Sequence, residues 1–74
     1  MKKTVKVNFF KESGKFYMVE DIEFECQETD DENADTYQNR ISLVNAIKKL
    51  PVSNEFTAVV VNDDLIGYPM MVKP

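Results

Sequence analysis

A chain of 74 residues with a single cysteine and no histidine has no internal disulfide, no thiolate–imidazole pair and no tetrahedral zinc site available to it. The net charge of −4 conceals an asymmetry: residues 1–15 carry +4, residues 16–37 carry −9 without one base, and residues 38–74 carry +1. With 43% hydrophobic residues, three tyrosines and five phenylalanines, the chain is expected to fold as one domain over residues 1–74, with a thin core that must be well made or supported by oligomerisation.

No apolar run approaches the ~18 residues that a membrane helix needs. The run Lys2, Lys3, Thr4, Val5, Lys6 alternates charge with apolar residues, unlike the unbroken apolar segment of a secretory signal. A lone cysteine suits a reducing compartment. The expectation is a cytoplasmic protein with no membrane association.

From Thr4 to Lys11 the chain alternates: Val5, Val7 and Phe9 share one face, while Thr4, Lys6, Asn8 and Phe10 share the other. That is the period of a half-buried strand. Glu12, Ser13 and Gly14 supply a turn. A second strand is expected from Lys15 to Cys26, with Phe16, Met18, Ile22, Phe24 and Cys26 inward and Tyr17, Val19, Asp21, Glu23 and Glu25 outward. Glu20 breaks the apolar parity and is read as a bulge or the point where the strand leaves the sheet. Residues 27–35, with Glu28, Asp30, Asp31 and Glu32 close together, read as a flexible acidic loop.

A helix follows, capped by Asp35 or Thr36. Tyr37, Ile41, Val44, Ile47 and Leu50 recur at steps of three and four, widened by Leu43 and Ala46, which predicts one buried stripe. Lys48 and Lys49 complement the negative end of the helix dipole, and Pro51 ends the helix. After Val52, Ser53 and Asn54, the run Phe56 to Val61 is apolar on both parities, as in a strand buried on both sides. Asn62, Asp63 and Asp64 form a turn, and Leu65 to Val72 makes a last strand. Pro69 has no N–H to donate and places that strand at an edge; Gly67 allows a bulge.

The order is ββαββ, which predicts an α+β domain: a four-stranded, mostly antiparallel sheet with one helix packed on one face. The expected core is Val5, Val7, Phe9, Phe16, Met18, Ile22, Phe24, Ile41, Val44, Ile47, Leu50, Val59 and Val61. One helix covers one face only. The other face is expected to present Lys6, Asn8, Phe10, Tyr17 and Val19, together with Tyr68 and Met70, or Val59 and Val61. Soluble monomers rarely leave so much apolar surface open, so a homodimer is expected.

No residue set supplies an activated nucleophile or a tuned acid–base pair, so no enzyme activity is expected. Cys26 falls on the apolar parity, with Glu25 and Glu28 nearby, and reads as a buried structural cysteine. The acidic runs at 30–32 and 62–64 lack the central glycine and distal glutamate of a calcium loop. With Gly14 and Gly67 as the only glycines, no phosphate-binding loop is present. No metal or cofactor is expected.

Two binding readings remain. In the first, Asp21, Glu23, Glu25, Glu28, Asp30, Asp31, Glu32 and Asp35 form an acidic surface for a basic protein partner. In the second, Lys6, Phe10 and Tyr17 form a lysine–aromatic sheet face for single-stranded nucleic acid, which the acidic segment opposes. The first is preferred: a non-catalytic, self-associating protein-binding module. Its lysine-, asparagine- and aspartate-rich composition suggests a small bacterial or mobile-element protein.

Overall fold

Val5, Val7 and Phe9 are all buried, while Thr4 and Lys6 on the alternate positions are exposed, as the alternation requires. They belong to β1 (Lys2–Phe10), which is followed by β2 (Phe16–Glu25), α1 (Glu32–Lys48), β3 (Ala58–Asp63) and β4 (Gly67–Val72). The computed structural model describes residues 1–11, 13–51 and 56–73, without the side chains of Asn62 and Tyr68. Glu12 of the expected turn, and Val52, Ser53 and Asn54 of the connection, lie outside the described residues.

The four strands form one sheet in the order β2-β1-β3-β4, and all three pairings are antiparallel. The domain is therefore α+β with ββαββ order, as predicted. β1 lies between β2 and β3, so the segment carrying α1 must cross over it. The outer strands are β2 and β4. Pro69 lies in an outer strand, where a missing N–H costs no ladder bond. The first hairpin closes through Lys11 N–H to Lys15 C=O and Gly14 N–H to Lys11 C=O, both 2.8 Å.

Directly opposed residues share a face, so the register defines the buried side. Val5 faces Ile22, Phe9 faces Met18 and Val59, Val7 faces Val61, and Val61 faces Met70. Val59, Val61 and Met70 thus all lie on the helix side. The uncovered residues of the second hairpin are Val60 and Met71, neither of the sets expected; the Tyr68 side chain is outside the described residues. The core adds Cys26, Leu43, Phe56 and Ile66 to the expected Val5, Val7, Phe9, Ile22, Phe24, Ile47, Val59 and Val61; the expected Val44 is only half-buried, because the helix phase places Leu43 inward in its stead. Each fully buried side chain of this size contributes roughly 1.5–3 kcal/mol.

The helix departs from its expected phase and start. Its N-cap is Asp31, whose Oδ1 accepts from Ala34 N–H at 3.1 Å, so residues 32–35 of the expected loop are helical. Acids in a first turn suit the positive end of the dipole, which makes an acidic run a good helix start. The buried helix positions are Asp35, Asn39, Leu43 and Ile47, whereas Tyr37 and Ile41 are 64% and 39% exposed. The inward face is rotated away from the predicted stripe because its first two turns bind loop backbone instead of packing on apolar side chains.

Those bonds tie three segments together. Asn39 Oδ1 accepts from Gln27 N–H at 2.7 Å, and Asn39 Nδ2 donates to Gln27 C=O at 3.0 Å and Leu65 C=O at 3.2 Å. Asp35 accepts from both the N–H and the hydroxyl of Thr29. Arg40 Nε donates to Ile66 C=O at 2.8 Å. The loop before α1 and the β3–β4 turn are thereby held to one helix face.

Candidate functional site

The face of the sheet turned away from α1 has two halves. At one end, polar residues of β1 oppose acids of β2: Lys2 with Glu25, Thr4 with Glu23, Lys6 with Asp21. Lys2 Nζ also reaches Glu23 at 3.4 Å. Such exposed pairs contribute at most about 1 kcal/mol each. Their effect is to put three carboxylates in a row along an outer strand.

The other half is apolar. Asn8 faces Val19 and Val60, Phe10 faces Phe16 and Ala58, and Val60 faces Met71. Phe10 and Phe16 meet edge to face with centroids 5.9 Å apart. Phe16, Val19 and Met71 are 57%, 44% and 66% exposed. Phe10, Ala58, Val60 and Met71 line a hollow of about 510 Å³, rimmed by Lys11 and Lys73.

The predicted members of this face are partly exchanged. The β1–β2 register shifts between Phe9 and Phe10, so that Phe9 opposes Met18 while Phe10 opposes Phe16. Tyr17 is the extra residue. Its ring packs on Phe56 at 4.8 Å, and Phe56 packs on Phe9 at 5.1 Å, so Tyr17 lies on the helix side, with Lys11 Nζ 4.8 Å over its ring. The bulge is at Tyr17 and not at Glu20. Consequently Phe16 is an exposed residue of the open face and not part of the core. Lys6 and Phe10 remain on the open face without Tyr17, and the aromatic pair there is Phe10 with Phe16. A one-residue slip inverts side-chain direction, and no local residue pattern announces it.

The acidic residues divide into three groups. Asp21, Glu23 and Glu25 are exposed on β2. Glu28, Asp30, Asp31 and Glu32 are exposed around the helix start. Asp35 is buried against Thr29, so it belongs to the packing and not to the acidic surface. Glu20 stays exposed although it falls on the helix-side parity, opposite Val7.

Cys26 is a buried free thiol. Burial pushes its pKa above the ordinary value, partly opposed by the nearby Lys3. Among the described residues no group of three or more His, Cys, Asp or Glu side chains is placed to hold a metal ion, and no helix is long and apolar enough to cross a membrane.

The chain matches no family model, no curated protein and no solved structure.

Proposed function

We propose that this protein is a non-catalytic binding module of the cytoplasm that self-associates through the open face of its sheet and offers the acids of β2 to a basic protein partner. The observation that supports this reading is the apolar half of the open face, formed by Phe10, Phe16, Val19, Val60 and Met71. Exposed aromatic and methionine side chains grouped on a flat face are characteristic of association surfaces. A second copy brings the same patch, and a two-fold pairing makes it self-complementary.

Mass by light scattering over a wide concentration range tests self-association. The expected result is a dimer that becomes a monomer on Met71→Lys, with the fold retained. A monomer of the parent chain at every concentration would remove the self-association reading.

A further inference from the structure

We infer that the free edge of β2 binds an extended, alternately basic segment of a partner protein by strand addition. The inference rests on reading the β2 acids as a partner surface and specifies how the partner docks.

The backbone phase of β2 follows from one bond. Cys26 N–H donates to Met1 C=O at 2.7 Å, so Cys26 directs its backbone toward β1. Alternation along the strand then directs Phe24, Ile22, Glu20 and Met18 toward β1 as well. The backbone N–H and C=O groups of Val19, Asp21, Glu23 and Glu25 point away from the sheet. Among the described residues no strand lies beyond them. The other outer strand, β4, carries Pro69 and makes a poorer template. The Tyr17 bulge ends the regular part of β2, leaving Met18–Glu25 as the usable edge.

Charge selects the occupant. The residues with outward backbone are those whose side chains stand on the open face, so the row reads Val19, Asp21, Glu23, Glu25. In an added antiparallel strand, the residues opposite these four share their face. Basic side chains at every second position would meet the acids from outside, as Lys2 and Lys6 of β1 meet them from inside. The intervening positions turn toward the helix side. There a groove of about 510 Å³ runs between Glu23–Glu25 and the helix residues Ser42, Asn45, Ala46 and Lys49, and it suits small or hydroxylated side chains. A second copy of β2 is a poor occupant, since it would bring two acidic rows together; charged edge residues commonly oppose such pairing.

The test uses three eight-residue peptides of equal composition. One alternates lysine and threonine, one groups the four lysines together, and one alternates but carries N-methyl groups on the lysine backbone nitrogens. NMR titration of the full chain at low salt should show the alternating peptide binding at least about tenfold more tightly than either control. Slowed amide exchange should appear at Val19, Asp21, Glu23 and Glu25. Equal binding of all three would overturn strand addition while leaving charge-driven docking in place. Failure of all three to bind would overturn both. Protection of the same amides that grows with protein concentration alone would assign the edge to a second copy and overturn the inference.

Discussion

Asn39 and Gln27 exchange two hydrogen bonds, side chain to backbone, and so fix the segment after β2 to the helix. The Asn39 amide accepts from Gln27 N–H and donates to Gln27 C=O, then uses its second N–H on Leu65 C=O. Asn39 is among the most deeply buried side chains of the protein, so these backbone groups depend on it.

Asn39→Leu fits the core by polarity but strands three backbone groups. The expected cost is about 2–4 kcal/mol, since each buried polar group left unpaired costs roughly 1–3 kcal/mol and partial rehydration offsets some of the total. Asn39→Asp retains the acceptor and loses both donors, and it should also destabilise. Urea denaturation checks both; a change under about 0.5 kcal/mol for Asn39→Leu would contradict the role.

Phe16 and Tyr17 are neighbours that the bulge sends to opposite sides. Tyr17→Ala removes a ring from Phe56 and should cost about 1–2 kcal/mol of stability. Phe16→Ala removes an exposed ring whose main contact is Phe10, and should cost less than about 1 kcal/mol. Its main effect is expected on association, read as a lower mass at equal concentration. The reverse order of stability losses would mean that the bulge lies elsewhere.

Gly14 and Gly67 both adopt positive φ, 84° and 87°, but in different surroundings. A Cβ at Gly14 meets open space, whereas one at Gly67 lies 3.1 Å from Arg40 Nη2 and 3.5 Å from Thr36 Cγ2. Gly14→Ala should cost about 1 kcal/mol, the backbone penalty alone. Gly67→Ala should cost more, because Arg40 must shift while its Nε holds Ile66 C=O. Thermal midpoints of the two variants give the ranking.

The buried Cys26 thiol links stability to alkaline pH. Its folded pKa is raised above the ordinary value of 9.0, chiefly by burial. The unfolded chain therefore loses this proton first. The contribution of the neutral thiol is fully present below 9.0 and is lost as pH rises through the folded value. Urea midpoints of the parent and of Cys26→Ala, from about pH 7 to about pH 11, should converge or cross as the parent loses stability faster. Parallel profiles would show that the thiol titrates alike in both states.

Much of the fold was legible in the residues. The two hairpins, the intervening helix, the inward parity of Val5, Val7, Phe9, Ile22 and Phe24, and the outer position of the Pro69 strand all follow from local pattern, because strand alternation and proline chemistry act over a few residues. The open face was only half legible: Lys6, Phe10 and Val19 fall where alternation puts them, but Phe16 and Tyr17 are exchanged and Val60 and Met71 replace the expected pair. Tertiary packing made that exchange, since the bulge is held by Tyr17 against Phe56, a contact between residues far apart in the chain. The phase of α1 was decided in the same way. A hydrophobic stripe favours Tyr37 and Ile41, yet the unpaired backbone of Gln27, Thr29, Leu65 and Ile66 favours Asp35, Asn39 and Arg40. Bonding those backbone groups outweighs covering two more apolar side chains, and only the folded arrangement brings them to the helix.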